Sequence, residues 1–322
     1  MLVRSIAIAF AVIAAITSAA AQQGGYPDKA IKVIVPFAAG GGIDVMARLY
    51  AEKAKDKLGV PIIVENRPGA SATIGGQAVH QSAPDGYMLL FVPITHVMAN
   101  VTLRSVPYDA VNDFTPIARV GEGPLLVVMS PKMPQKTLTE VAAAAREKPS
   151  DWTVATSGLG SAGHIASVAL REASKADLTI TPYRGTAPAL TDVMGGHIQL
   201  LIDSVITLLP AARDGKVKAL AITSSKRSAL APDVPTAAES GMPSLAFASW
   251  FGFFGPKGMP PDVVAKLNTV FNETSQKLAE ENRLAALGVE PVAETPEEFG
   301  RFIRVQVARG TELLQRAGFK PE

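Results

Sequence analysis

Residues 31–44 read IKVIVPFAAGGGID, a short β-branched strand that runs through a glycine-rich turn into a helical pattern. Three successive glycines leave backbone N–H groups of the turn uncovered, and the following helix directs the positive end of its dipole at the same place. The stretch therefore predicts an anion site that needs no basic side chain, contributed by Phe37, Ala38, Ala39, Gly40 and Gly41. Asp44 either caps the helix or faces the turn and holds a water molecule. A turn with only a structural role is the alternative.

Several functional classes are excluded by motif and composition. The sequence GGGIDV from residue 40 lacks the third glycine of the dinucleotide fingerprint G-x-G-x-x-G, and no P-loop Gly-Lys-Ser or Gly-Lys-Thr follows it. The 322 residues carry 31 Lys and Arg against 29 Asp and Glu, a net charge of +2 that argues against a nucleic-acid partner. The chain has no cysteine, so a disulfide scaffold, a thiolate metal site and a thiol nucleophile are excluded.

The order of strand, turn and helix repeats along the chain. Short β-branched runs bounded by Gly, Pro, Asn and Asp occur at 31–37, 61–65, 87–93, 125–130, 152–156, 178–182, 199–203 and 218–223. Helical patterns lie between or after them, at 45–57, at 261–279 and after two capping boxes that begin at Thr137 and Thr295. This alternation predicts an α/β fold with parallel sheets covered by helices. Residues 121–124 and 240–243 are the predicted crossings between two lobes.

The first 21 residues have the three-part pattern of a secretory signal peptide. Arg4 precedes an apolar run at 6–16, and small residues follow up to a predicted cleavage point near Ala21. The run is too short for a membrane span, which needs about 20 apolar residues. We therefore expect an exported, periplasmic protein without a lipid anchor. A buried N-terminal helix is the alternative.

Further candidate residues follow several of the predicted strands. In open parallel sheets, ligands bind outside the carboxyl ends of the strands, where these residues would lie. They come from both halves of the chain, which indicates two lobes that face each other across a cleft. The candidates are Ser71, Thr95, His96, Thr156, Ser157, Gly158, His164, Arg184, Gly185, Thr186 and Asp203.

Enzyme and cofactor motifs are weak. The four histidines are scattered without a metal-ligand spacing, and no complete G-x-S-x-G is present around Ser71 or Ser161. We expect no metal and no cofactor. A serine hydrolase that pairs Ser71 or Ser161 with His96 or His164 through folding is the alternative from another class, since triads are recognised by geometry.

The chain resembles the Bug-type extracytoplasmic solute receptors of tripartite tricarboxylate transporters. The stretches PFAAGGGID at 36–44, VENRPG at 64–69, PDGY at 84–87 and PYRGT at 182–186 carry the resemblance. Weaker matches continue it at 107–109, 113–114, 215–221, 250–252, 255–256, 287–288, 296–299 and 317–318. Each stretch alone is modest, but their order and coverage are specific to the family.

The resemblance implies a two-lobed periplasmic-binding-protein fold of type II with two chain crossovers. Lobe 1 would comprise 22–123 and 246–322, and lobe 2 would comprise 124–245. The ligand would be a small carboxylate (a di- or tricarboxylate, or an aromatic or amino-acid carboxylate) held by backbone amides, hydroxyls and bridging waters. The receptor would deliver it to a membrane permease of a tripartite tricarboxylate-type transporter. A ligand sensor that docks on a signalling protein is a further alternative.

Two departures from the family pattern concern the predicted site. Ser71 and Ala72 stand where the family usually has two glycines, so their side chains would narrow the pocket or add a hydroxyl. Thr95 and His96 lie where the family's pocket varies, and we expect them to contact the distal end of the ligand.

Overall fold

The computed structural model describes residues 25–322 of the chain. The predicted signal peptide, residues 1–21, lies outside the described residues. None of the helices within 25–322 combines the length and apolar surface that crossing a bilayer would need.

Ten strands and ten α-helices form in residues 25–322, in an alternating order that confirms the predicted α/β class. The strands are β1 (Ile31–Val35), β2 (Ile62–Asn66), β3 (Met88–Val92), β4 (Phe114–Met129), β5 (Thr153–Thr156), β6 (Thr179–Pro182), β7 (Leu200–Ser204), β8 (Lys218–Ile222), β9 (Ala248–Pro256) and β10 (Glu290–Pro291). The helices are α1 (Gly42–Leu58), α2 (Thr73–His80), α3 (Ile94–Val97), α4 (Ala99–Thr102), α5 (Leu138–Glu147), α6 (Ala162–Ser174), α7 (Thr186–Gly195), α8 (Val205–Arg213), α9 (Pro261–Glu280) and α10 (Pro296–Arg316).

Two sheets share the long strand β4. In the first sheet the order is β2-β1-β3-β9-β4, with β1, β2 and β3 parallel and β9 antiparallel to both neighbours. In the second sheet β4 pairs with β7 and β8, and β5 joins β7 to β6. The partner of β4 changes between Pro124, which pairs with Ala248, and Leu125, which pairs with Ser204. We call the part built on the first sheet lobe 1 and the part built on the second sheet lobe 2.

Three stretches of strand were not predicted: residues 114–124 of β4, strand β9 and the two-residue strand β10. This part of β4 contains Gly121, Gly123 and Pro124, which favour a loop in a sequence pattern, so residues 121–124 were expected to cross between lobes as a turn. They cross as strand instead, because pairing with β9 supplies the backbone hydrogen bonds. Strand β9, with the aromatic-rich sequence WFGFF at 250–254, lies outside the predicted strands. The exact lobe boundaries at 123/124 and 245/246 stay a prediction.

Aromatic packing in the core of lobe 1 joins the strands of its sheet to a covering helix. Phe91 on β3 lies 4.5 Å from Phe253 on β9, and Phe253 stacks on Phe271 of α9 at 3.8 Å between ring centroids. Burying a phenylalanine contributes about 1.5–3 kcal/mol. Tyr50 of α1 donates a buried hydrogen bond of 2.7 Å to the carbonyl of Val120 on β4. The first turn of α1 is thereby held on a rigid base at the cleft.

Candidate ligand-binding cleft

A cleft lies between the two lobes at the carboxyl ends of several strands. Its cavity volume is only about 20 Å³. That room suits about one water molecule, so the lobes are closed on each other in this structure. The lining residues are Phe37, Gly41, Gly42, Ile43, Pro93, Thr95, Ser157, Ser161, Ala162, Gly163, Thr186, Asp203, Ser204 and Ser249.

Four helix N-termini converge on this cleft. Gly41 precedes α1, Ser161 precedes α6, Gly185 precedes α7 and Ser204 precedes α8. The first N–H groups of a helix have no partner within the helix, and its dipole places partial positive charge at this end. The four helices have 17, 13, 10 and 9 residues, so each has a fully developed dipole. Backbone groups of both lobes therefore place partial positive charge at the cleft.

Asp203 is the one ionisable side chain that lines the cleft in the described part of the chain. It is 8% exposed, its Oδ1 accepts a 2.7 Å hydrogen bond from the Ser204 N–H, and its Oδ2 has no hydrogen-bond partner. Burial raises the pKa of Asp203 above its ordinary value, although the Ser204 amide and the nearby hydroxyls of Ser157 and Thr186 act in the opposite direction. The free Oδ2 would accept a hydrogen bond from a ligand.

Asp44 braces the glycine-rich turn and does not line the cleft. Its Oδ2 accepts a 3.0 Å hydrogen bond from the Gly40 N–H, its Oδ1 accepts one of 3.0 Å from Asn66 Nδ2, and the Arg48 guanidinium forms an ion pair with it. Burial alone would raise the pKa of Asp44, but the hydrogen bonds from Arg48, Gly40 and Asn66 outweigh it and lower that pKa. Arg48 lies one helical turn after Asp44, so the two form an i,i+4 ion pair on α1.

Only part of the predicted backbone-donor stretch at 37–41 lines the cleft. Ala39 and Gly40 are exposed, and the Gly40 amide is occupied by Asp44. Gly41 lines the cleft together with Gly42 and Ile43, at the free N-terminus of α1. Residues 41–43 of this turn therefore lie at the cleft, whereas the Gly40 amide is occupied by the Asp44 carboxylate.

Ala38 and its facing loop hold the lobes together. The Ala38 N–H donates a 3.3 Å hydrogen bond to the carbonyl of Arg184 in lobe 2. Gly185 adopts a φ of 127°, and a Cβ at this position would lie 3.2 Å from the Ala38 nitrogen. The Arg184 side chain is exposed and does not line the cleft. Arg184 and Gly185 thus contribute backbone contacts between the lobes.

The loop after β5 brings hydroxyl groups to the cleft. Ser157 and Ser161 line it, whereas Thr156 lies behind and shares a 2.6 Å hydrogen bond with Ser161 Oγ. Gly158 packs against Ser71 of lobe 1. Thr186 lines the cleft at the start of α7.

The side chains of Thr95 and His96 lie in different surroundings, the cleft and an aromatic cluster. Thr95 lines the cleft with a buried Oγ1 that has no hydrogen-bond partner. His96 is fully buried among Tyr108, Phe114 and Phe254, with ring centroids 5.7, 4.5 and 5.5 Å away. Both of its ring nitrogens lack partners, and burial lowers the pKa of His96 to about 3. The side chain of His96, expected at the ligand, belongs to this aromatic cluster.

The serine–histidine pairs of the hydrolase alternative are not assembled. Ser161 Oγ contacts the Thr156 hydroxyl and the backbone N–H of His164, and Ser71 Oγ accepts from the Leu159 N–H. The His164 Nδ1 accepts a 3.2 Å hydrogen bond from the Gly160 N–H. Burial, with a contribution from Arg171, lowers the pKa of His164 to about 4. In residues 25–322 no serine hydroxyl is hydrogen-bonded to either imidazole.

Several lining residues were not predicted as ligand contacts. They are Gly42, Ile43, Pro93, Ser161, Ala162, Gly163, Ser204 and Ser249. Ser161 and Ser204 had a signal, because each stands directly before a helix after a predicted strand, where its hydroxyl caps the helix and its neighbours face the ligand. Ser249 had none, since β9 was not predicted as a strand.

A wider hollow lies on the hinge side of the molecule. It measures about 650 Å³ and is lined by both lobes, including Ile165 of α6, Trp250 of β9 and Leu313 of α10. Of the residues predicted for binding, none lines this hollow in the described part of the chain. The helix N-termini instead surround the smaller cleft.

The two sheets, their shared strand and the cleft between them define a solute receptor with the periplasmic-binding-protein fold. The chain belongs to the receptors of the tripartite tricarboxylate transporter family, whose model, described as "Tripartite tricarboxylate transporter family receptor", matches residues 46–319. It is 37% identical to protein BugT of Bordetella pertussis over 297 residues, which cover 92% of this chain and 91% of that protein. The predicted family and fold are confirmed.

Solved structures show the same architecture. The periplasmic binding protein BugD is 33% identical, with a TM-score of 0.87 over 92% of this chain and 100% of BugD. MatC from Rhodopseudomonas palustris with bound malate is 34% identical, with a TM-score of 0.84 over 90% of this chain and 100% of MatC. A second R. palustris protein, with adipate, is 30% identical, with a TM-score of 0.89 over 92% of this chain and 100% of that protein.

Proposed function

We propose that this receptor closes over a small carboxylate and presents it to the membrane permease of a tripartite tricarboxylate-type transporter. The observation that carries the proposal is the convergence of four helix N-termini on a cleft whose lining has no basic side chain. Such a site favours an anion through backbone amides alone. The malate and adipate found in two relatives are ligands of this chemical class.

The two lobes have different roles in the proposed complex. The amides of Gly41, Gly42 and Ile43 hold one carboxylate group from the side of lobe 1. The hydroxyls of Ser157 and Thr186 contribute from lobe 2, directly or through bridging waters, which are nearly as favourable as direct hydrogen bonds. Closure raises the affinity only through contacts that the ligand makes better in the closed form.

Asp203 gives the proposed site its selectivity. A carboxylate group placed against the free Oδ2 would be repelled, whereas a hydroxyl or ammonium group would donate a hydrogen bond to it. We therefore propose that the preferred ligands carry a hydroxyl or amino group beside one carboxylate, as hydroxy acids and amino acids do.

We further propose that the protein acts as a receptor without catalysis. It would do so in the periplasm, after cleavage of a signal peptide near Ala21. Its two lobes comprise 22–123 with 246–322 and 124–245. A sensing role with a signalling partner is the second candidate, because the same closed form would serve both.

A thermal-shift panel tests the proposed ligand class. Malate, aspartate, glutamate, adipate and benzoate are compared with the matched neutral amides, with glucose and with calcium. A ligand at 100 times its dissociation constant stabilises the protein by about 2.7 kcal/mol, which raises the Tm by several degrees. We expect at least one acid to do so and its amide to have no effect. A shift with glucose or calcium and with none of the acids would contradict the proposal.

A further inference from the structure

Ser71 lies where lobe 1 touches the loop of lobe 2 that follows β5. Its Oγ accepts a 3.1 Å hydrogen bond from the N–H of Leu159 in the facing lobe. The other hydrogen bond across this rim joins the Ala38 N–H to the Arg184 carbonyl, so both of its groups are backbone. The hydroxyl of Ser71 is therefore a rim contact between the lobes that a single substitution can remove.

The backbone around Ser71 is in an unfavourable conformation. Ala70, Ser71 and Ala72 have φ values of 44°, 47° and 76°, in the left-handed region that residues with a Cβ rarely adopt. Strain of this kind persists only where the surrounding structure enforces it, and it is concentrated at functional sites. The Thr73 hydroxyl donates a 2.7 Å hydrogen bond to the Ala70 carbonyl and closes this turn from within lobe 1. The strained turn fixes the position from which the Ser71 hydroxyl meets lobe 2.

The facing loop of lobe 2 is shaped to receive this turn. Gly158, at a φ of 155°, lies against Ser71, and a Cβ built on it would be 3.6 Å from Ser71 Oγ. Gly160, at a φ of 76°, leaves so little space that a Cβ would lie 2.8 Å from the Cβ of Met98 in lobe 1. A side chain at Gly160 would push against Met98 of the opposite lobe, whereas Gly158 is in ordinary van der Waals range of Ser71, so the two loops fit closely in the closed form.

We propose that Ser71 is a positioning residue that latches the closed form. The hydrogen bond from Leu159 to Ser71 Oγ exists only when the lobes meet, and the strained turn at 70–72 holds the hydroxyl ready for it. The role of this hydrogen bond in ligand binding rests on the proposed function, because only a ligand-binding receptor has a ligand for the closed form to retain. The bond itself joins protein groups, so it favours closure whether or not a ligand is bound.

The lobe distance tests the latch without any ligand. Because the chain has no cysteine, Lys55→Cys in lobe 1 and Thr191→Cys in lobe 2 can carry spin labels, and pulsed electron paramagnetic resonance gives the distance distribution. In this background Ser71→Ala removes the hydroxyl and keeps the strained backbone. One hydrogen bond of ordinary strength corresponds to about a fivefold fall in the ratio of closed to open molecules. Ser82→Ala is the matched control, since it removes a serine hydroxyl of lobe 1 whose 2.7 Å hydrogen bond to the Val79 carbonyl stays within that lobe.

Titrations with malate and adipate as probes supply the second readout. We expect Ser71→Ala to bind about fivefold more weakly any acid that the parent protein binds, and Ser82→Ala to bind it as the parent protein does. A closed-to-open ratio in Ser71→Ala equal to that of the parent protein would overturn the latch. A parent protein that shows only open molecules would overturn it as well. A change in Ser82→Ala as large as in Ser71→Ala would also overturn it.

The two proposals fail in different ways. If neither acid binds but Ser71→Ala still shifts the lobe distance, the latch stands and the carboxylate function loses support. If the acids bind the parent protein and Ser71→Ala equally and the distances agree, the latch fails and the carboxylate function stands.

Discussion

The two walls of the cleft differ in what they offer a ligand. Lobe 1 presents mostly backbone, at the first turn of α1 around Gly41 and Gly42, and that backbone is supported by Asp44 from behind. Lobe 2 presents the hydroxyls of Ser157 and Thr186 and the carboxylate of Asp203. The difference indicates that lobe 1 supplies attraction for any anion, whereas lobe 2 decides which anion fits. Substitutions should therefore act on lobe 1 through shape and on lobe 2 through chemistry.

The largest expected effect comes from adding a side chain to the wall of lobe 1. A Cβ on Gly42 would lie 3.2 Å from Thr207 Oγ1 and 3.5 Å from the Cβ atoms of Ile206 and Ser204 in lobe 2. Gly42→Leu should obstruct closure and weaken binding of a carboxylate by roughly a hundredfold in titration calorimetry, since overpacking costs about 1–3 kcal/mol. Lys55→Leu, at an exposed site of the same helix, is the control and should leave the affinity unchanged. Equal affinity in Gly42→Leu would contradict the role of this wall in closure.

The next effect tests chemistry at the wall of lobe 2. Asp203→Asn should reduce the preference for malate over succinate about tenfold, because the malate hydroxyl loses its charge-assisted hydrogen bond, whereas any repulsion of a second carboxylate is the same for both acids. Competitive titrations of both acids measure this ratio. An unchanged ratio would show that Asp203 does not meet the ligand.

Asp203 should also make stability depend on pH. Its folded-state pKa is raised above the ordinary 3.8, so the native state holds the proton more tightly than the unfolded state does. Stability is consequently lost as the pH rises from about 3.8 through the raised value. Asp203→Asn should exceed the parent protein in free energy of unfolding by about 1–3 kcal/mol at pH 7 and by less at pH 4. Denaturant unfolding at the two pH values checks the sign, and a smaller gain at pH 7 than at pH 4 would contradict it.

A smaller effect is expected behind the wall of lobe 1. Asp44→Ala leaves the Gly40 amide without its acceptor and removes one of the two acceptors of Asn66 Nδ2, the other being the Phe37 carbonyl, and should cost about 1–3 kcal/mol of stability. Arg48→Ala removes a half-exposed ion-pair partner together with its 2.9 Å hydrogen bond to Asn66 Oδ1, and should cost below about 1 kcal/mol. Since the pKa of Asp44 is lowered, its contribution should be present above its ordinary value of 3.8 and fade as the pH falls further. Thermal unfolding of both variants compares the costs, and equal losses would show that the turn does not depend on Asp44.

The smallest effect on binding is expected at His96, outside both walls. His96→Phe removes two unpaired ring nitrogens from an aromatic cluster and should change ligand affinity by no more than about twofold while adding about 1 kcal/mol of stability. The pKa of His96 is lowered to about 3, so the parent protein should lose stability as the pH falls below 6.5 and the unfolded chain takes up a proton. His96→Phe should lack this loss between pH 6.5 and 3, as acid unfolding curves would show. Tenfold weaker binding would place His96 at the ligand after all.

The pattern of strands and helices predicted the location of the cleft better than its contacts. Loops at the carboxyl ends of strands were identifiable because Gly, Ser and Asp follow short apolar runs. The pattern did not identify which amides are free. The Gly40 amide is occupied by Asp44, and Asp44 is held in turn by Asn66, which lies 22 positions further along the chain. The orientation of neighbours such as Thr95 and His96 depends on packing against Phe114 and Phe254 from other strands. Local pattern does not contain that information.

The central claim is that backbone amides, and not an arginine side chain, hold the anion. Arg184 is the basic residue nearest in sequence to the cleft-lining Thr186, and its guanidinium does not line the cleft. Titration calorimetry of an acid from the panel against the parent protein and Arg184→Ala tests the claim directly. The backbone account predicts dissociation constants that agree within about twofold, since the Ala38 N–H bonds only to the main-chain carbonyl of Arg184. Binding that is more than about tenfold weaker in Arg184→Ala would contradict it and indicate an arginine clamp.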